Sequence, residues 1–141
     1  ATKVDHSLAG VEGNDTWYHI MMTWDTSADQ MKAYINGSAV GSTQSSLGTW
    51  SGSIDAVDVG KNSLADNSYF TGHIDQVSVF ASVVSATTLY NGGTPGNLTG
   101  MANLKAWYQF NEGSGTSIAD SSGTGNTGTL VNGAAFNTDT P

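Results

Sequence analysis

The dipeptide Asn36–Gly37 lies between two runs of alternating side chains, and no other feature constrains the chain more. Asn and Gly both tolerate positive φ, so the pair suits the two-residue type I′ turn of a β-hairpin. Ahead of the turn, Met31, Ala33 and Ile35 share one strand face. Further upstream, residues 17–24 place Ile20, Met22 and Trp24 on one face and Trp17, His19, Met21 and Thr23 on the other. Period two with bulky residues on both faces predicts a central strand covered on both sides. Residues 38–43 are expected to return antiparallel.

The rest of the chain continues in the same idiom. Residues 54–59 read as a further strand closed by Gly60. Residues 70–81 form the longest strand pattern, but its phase slips between Ile74 and Val77. A β-bulge at Asp75–Gln76 would return Ile74, Val77 and Val79 to one buried face. Helix is expected only over residues 85–90, capped by Ser85 and ended by Gly92. Residues 91–100 read as a linker around Pro95. Residues 102–110 are a strand with Leu104, Ala106, Tyr108 and Phe110 in phase, residues 112–128 a long loop, and residues 129–136 a last strand broken at Asn132–Gly133. Gly, Ser, Thr and Asn make up 63 of 141 residues while charged residues are only 11%. Disordered chains are usually richer in charge and poorer in aromatics. The expected class is therefore all-β, an antiparallel sandwich.

Charge and cysteine usage remove whole classes of function. With 4 Lys, no Arg and a net charge of −8, the chain cannot neutralise a phosphate backbone. Nucleic-acid binding is excluded, and an anionic membrane surface is disfavoured for the same reason. The absence of cysteine excludes disulfides, zinc-thiolate sites and thiol nucleophiles. No apolar run approaches the ~18 residues of a membrane span. The length suits a single compact domain.

Several of these segments together resemble laminin G-like domains of the concanavalin A-like jelly-roll superfamily. The resemblance rests on Trp17-Tyr18-His19-Ile20 through Thr23-Trp24-Asp25, then Ala33-Tyr34-Ile35-Asn36-Gly37. It continues with Val57-Asp58-Val59-Gly60, with Phe70-Thr71-Gly72-His73-Ile74-Asp75-Gln76-Val77, and with the short helix at 85–90. Leu104-Lys105-Ala106-Trp107-Tyr108 with Asp120-Ser121-Ser122-Gly123 is similar to the opening of such domains, a segment that normally precedes the hairpin. Here it follows the closing strand, so the halves are inverted and the middle strands have no counterpart. The expected organisation is residues 1–98 as the C-terminal-type half and residues 99–141 as the opening segment of the same or the next sandwich. A fragment, a tandem-repeat junction and a permuted domain all fit that order, and the strand-like Thr2-Lys3-Val4-Asp5 at the start points to a fragment. In the family the opening and closing strands are adjacent, so residues 104–110 are expected to pair with residues 70–80.

The candidate chemistry is that of binding. Glycoside hydrolysis needs two facing carboxylates, yet Glu12 and Glu112 are the only glutamates and neither has a second acid two residues away on a strand. No G-x-S-x-G elbow occurs. His19, in the hairpin, is expected to be a structural imidazole, and His73 shares a strand face with Asp75, which suits a metal pair or a surface ion pair. The resemblance implies a structural calcium ion, with Asp75, Asn111, Glu112 and Asp120 as its candidate oxygen ligands. Trp50 and Tyr69 lie in expected loops and are candidates for stacking against sugar rings; Trp17, Trp24 and Trp107 are assigned to the core. The expected function is a noncatalytic surface module of a microbial or phage extracellular or virion protein. It would contact protein neighbours, other copies of the chain among them, and glycans. An accessory or inactive remnant of a carbohydrate-active enzyme is the competing assignment.

Overall fold

A computed structural model describes residues 15–48, 56–61 and 69–141. Trp50, Glu12, His6 and the strand-like start at residues 2–5 lie outside the described residues, as do residues 54 and 55 of the expected third strand. The described residues fall into two compact units, each taken by itself below. One contains residues 15–48 and 80–103, the other residues 56–61, 69–79 and 104–140.

The first unit is built on the hairpin. β1 (Ile20–Asp25), β2 (Gln30–Ile35) and β3 (Ser38–Ser45) form an antiparallel sheet in the order β1-β2-β3. Asn36 and Gly37 adopt φ of 48° and 76°, the two positive values a type I′ turn requires. The register opposes Met22 to Ala33 and Trp24 to Met31 across β1 and β2, and Ala33 to Val40 across β2 and β3. Among the described residues the central strand is thus β2, not the expected 17–24 run. The faces of β1 also differ: Thr23 is buried, whereas Ile20, Met22 and Trp24 are 56%, 53% and 49% exposed. The assignment of Trp24 to the core is corrected accordingly, because period two states which residues share a face and not whether another layer covers it.

The turn end of the hairpin meets the helix. α1 (Ala86–Tyr90) starts where expected, with Ser85 extended and its hydroxyl accepting from the Thr88 N–H. It is capped at its C-terminus by Asn91, whose φ of 45° is left-handed and whose N–H donates to the Thr87 carbonyl, with Gly92 past its end as expected. Tyr90 reaches the hairpin: its ring centroid lies 6.0 Å from that of His19. A Cβ on Gly37 would sit 3.2 Å from Tyr90 Cδ1 and 3.3 Å from Thr87 Cα. Gly37 therefore satisfies both the turn and the close approach of the helix.

The second unit is formed by short strands. β4 (Val77–Phe80) pairs with β5 (Leu104–Tyr108), which is the expected neighbour relation between the closing and opening segments. β6 (Ser117–Ile118) pairs antiparallel with β7 (Gly128–Thr129) inside the segment expected to be loop. Residues 56–60 form no strand; only an isolated bridge joins Lys61 to Tyr69. The long 70–81 pattern reduces to four strand residues, because Gln76 takes a left-handed φ of 53° and ends the ladder at the expected bulge. Val77 and Val79 are half-buried, but Ile74 remains 38% exposed, so the bulge does not restore one buried face. Leu104, Ala106, Trp107 and Ile118 are buried here, with Trp107 the most enclosed of them at 4% exposed.

Candidate functional site

The strongest surface feature of the second unit surrounds the Lys61–Tyr69 bridge. The Phe70 N–H donates to the Gly60 carbonyl at 2.8 Å, which holds residues 69 and 70 extended against residues 60 and 61. Tyr69 and Phe70 are nonetheless 52% and 59% exposed. Phe70 is braced from one side: a Cβ on Gly72 would meet its ring at 2.9 Å from Cε1 and 3.0 Å from Cζ. Gly60 lies against the tip of Ile74 in the same way, with its would-be Cβ 3.2 Å from Ile74 Cδ1. Glycine at these positions lets backbone and apolar side chain touch, leaving aromatic surface turned outward. Tyr69 was legible as a loop aromatic. Phe70 was missed because it was counted into a strand; the glycine two residues beyond it was the available signal.

Asp120, a candidate cation ligand, is placed differently from what that role needs. Its Oδ1 accepts from the Trp107 N–H at 3.0 Å and the Ser122 N–H at 2.9 Å. Its Oδ2 accepts from the Asn126 N–H at 2.8 Å. The Lys105 carbonyl is engaged too, accepting from the Thr124 hydroxyl at 2.6 Å and the Asn126 amide at 2.8 Å. Partial desolvation pushes the Asp120 carboxyl up, but the hydrogen bonds from Ser122, Trp107 and Asn126 outweigh it and hold the group well below the usual carboxylate range. A calcium ion takes hard oxygen lone pairs, and here three backbone N–H donors already point at them. The donor set fits a carboxylate that organises its own loop and does not fit a cation shell.

The other candidates do not join it. Glu112 Oε1 accepts from the Ala119 N–H at 2.7 Å, and Asn111 is exposed. Asp75 is half-buried, and desolvation raises its carboxyl above the ordinary value against a smaller lowering by the Gln76 backbone N–H. Among the described residues, no three of His, Asp and Glu gather in a way that could hold a metal ion. His73 Nδ1 lies 2.8 Å from Asp139 Oδ2, a partner 66 residues away that strand alternation could not reveal. His19 is a structural imidazole in the first unit: its backbone N–H donates to Asn36 Oδ1, its Nδ1 is enclosed without a partner, and burial lowers its pKa.

An open groove of about 330 Å³ runs beside Tyr34, Gly37 and the segment before α1 in the first unit. The Ser85 and Thr87 hydroxyls that line it are already bonded to each other at 2.8 Å. It offers less to a ligand than the outward-facing aromatics do.

Antiparallel strands and one short α-helix among the described residues define an all-β domain of the concanavalin A-like sandwich class. Residues 4–89 match the laminin G family model of the concanavalin A-like lectin/glucanases superfamily, and the chain belongs to that family. No curated protein and no solved structure matches it. Laminin G-like domains are typically noncatalytic, commonly extracellular, and often bind glycans. Among the described residues, no helix is long and apolar enough to cross a membrane.

Proposed function

We propose that this domain is a noncatalytic module that holds a glycan against the aromatic surface of Tyr69 and Phe70, on the outside of a microbial cell or a virion. The observation that carries this reading is the exposure of both rings beside a backbone pinned by the Lys61–Tyr69 bridge. Aromatic faces take the C–H face of a sugar ring, while the phenolic hydroxyl and neighbouring amides supply directional hydrogen bonds. A net charge of −8 favours a neutral saccharide over an anionic one. The setting is supported by composition, rich in Gly, Ser, Thr and Asn and free of cysteine and arginine.

The noncatalytic part of the reading draws on the engaged acids. Glu112 and Asp120 accept local backbone N–H groups, so neither stands as a free acid opposite a second carboxylate. An accessory domain of a carbohydrate-active enzyme would use the same aromatic surface in a different setting. The exposed row Ile20, Met22 and Trp24 supports contact with a protein neighbour, another copy of the chain, at the first unit.

Titration of neutral oligosaccharides against the full chain tests the proposal. Tyr69→Ala and Phe70→Ala should each weaken binding by about tenfold, equivalent to ~1.4 kcal/mol, without changing the melting temperature. Failure of the parent chain to bind any neutral glycan, or binding indifferent to both substitutions, overturns the assignment. Sedimentation across a concentration series checks the neighbour contact, which a strictly monomeric chain would rule out.

A further inference from the structure

Three Asn–Gly pairs occur in this chain, at Asn36–Gly37, Asn91–Gly92 and Asn132–Gly133. Glycine after asparagine leaves the peptide nitrogen unhindered, so this pair is the one most open to intramolecular attack on the side-chain amide. In that reaction the Gly nitrogen forms a bond to the Asn Cγ, and the Cγ–Nδ2 bond breaks. Ammonia leaves with the proton shed by the attacking nitrogen, giving a five-membered succinimide. Water then opens the ring at either carbonyl, yielding aspartate or isoaspartate. No enzyme, oxidant or cofactor is required; water is the only co-reactant.

The reaction needs the nitrogen and Cγ to approach, and a folded turn must first open to allow it. The three sites differ sharply in what holds them shut. Asn36 is half-buried in the turn of the β2–β3 hairpin, paired on both sides of it through Ile35↔Ser38 and Tyr34↔Ala39, and its Oδ1 accepts from the His19 N–H at 3.0 Å. The Asn36 N–H returns a bond to the His19 carbonyl at 2.9 Å, and Gly37 is wedged against Tyr90 and Thr87. Asn91 terminates α1, with its N–H on the Thr87 carbonyl and its Nδ2 donating to the Thr94 carbonyl at 3.1 Å. Asn132 has none of this. It is exposed, its side chain makes no hydrogen bond, and one 3.2 Å bond from the Ala134 N–H to the Val131 carbonyl closes its turn. No strand continues on either side of that turn, since β7 ends at Thr129 and residues 130–141 contain none. Local opening is cheapest where few buried contacts and few backbone bonds are lost.

We infer that Asn132 is a site of spontaneous modification, converted through a Gly133 succinimide to aspartate and isoaspartate while Asn36 and Asn91 are spared by the fold. Conversion adds one negative charge beside Val131, which is 60% exposed, and isoaspartate lengthens the backbone there by one methylene. The tail beyond it holds Asp139 against His73, so the modified bond lies between β7 and that contact.

The test is ageing of the full chain in mildly alkaline buffer at physiological temperature, followed by peptide mapping with mass detection. A parallel sample is held in denaturant. In the folded chain the peptide containing Asn132 should convert faster than those containing Asn36 or Asn91 by about tenfold or more; in denaturant the three rates should converge. Asn132→Gln should remove the folded-state conversion and leave the melting temperature unchanged. Equal rates at the three sites in the folded chain, or conversion of Asn132 only in denaturant, overturns the inference.

Discussion

The Trp107 indole N–H donates to Gln76 Oε1 at 3.1 Å, joining the most buried aromatic of the second unit to a residue held in the left-handed region. Gln76 thereby does two things: it ends the irregular stretch before β4, and it satisfies an N–H that burial has removed from water. Gln76→Ala leaves that donor unpaired and keeps a Cβ at a φ of 53°. An unsatisfied buried donor costs about 1–3 kcal/mol, so the variant should melt several degrees lower. Gln76→Gly relieves the backbone but not the indole and should lie between the two. Thermal melts of the three chains check the order.

The Asp120 carboxylate is expected to act as an internal anion and not as a cation ligand. Replacement by Asn keeps one acceptor oxygen and loses the other, opposite the Asn126 N–H. One hydrogen bond to a charged group, worth about 1.5–3 kcal/mol, is at stake, moderated by the half-exposed setting. Asp120→Asn should therefore destabilise by roughly 1–2 kcal/mol in urea. Chelation of divalent ions should leave the parent melting temperature unchanged; a clear drop would show that the loop holds a cation after all.

The same carboxylate gives an acid signature. Its folded pKa is depressed below its unfolded value, so its contribution to stability is complete above the unfolded value and is lost as pH falls through the folded one. The loss begins as pH falls through the ordinary carboxylate range, where the unfolded group titrates, and continues into stronger acid. Asp120→Asn should remove that part of the pH dependence, read as the difference between parent and variant melting across the acid range.

His19 acts at milder pH. Burial lowers its folded pKa, so the unfolded state takes up the proton first on acidification and is favoured by it. Stability should fall from about pH 6.5 downward and level off once the folded imidazole is also protonated. His19→Gln should flatten the profile in that window. An unchanged profile would show that the enclosed Nδ1 finds a partner when protonated.

Gly37→Ala is expected to be the costliest glycine substitution in the hairpin. It places a Cβ 3.3 Å from a backbone atom of α1 while the residue sits at a φ of 76°. The backbone term alone is about 1 kcal/mol, and the contact with Thr87 adds to it because a helix backbone cannot yield as a side-chain tip does. Gly92→Ala is the control, since its Cβ meets nothing within 4 Å at a similar φ of 67°. Comparison of the two melting temperatures separates crowding from conformation.

Where the sequence was informative, the chemistry was local. The Asn36–Gly37 turn, the Ser85 cap, the break at Asp75–Gln76 and the registers beside them depend on residues a few positions apart, and propensity and alternation operate over that distance. The pairing of β4 with β5 was accessible only through resemblance to a family, because no local pattern identifies a partner strand. Long-range geometry decided the rest. Whether the Ile20–Trp24 face is covered, that Asp120 spends its oxygens on Trp107, Ser122 and Asn126, and that His73 meets Asp139 are facts about neighbours brought together by folding. So is the difference between three identical Asn–Gly pairs. A dipeptide states what reaction is possible; the hydrogen bonds and contacts around it, contributed from elsewhere in the chain, set the free energy of opening that the reaction must first overcome.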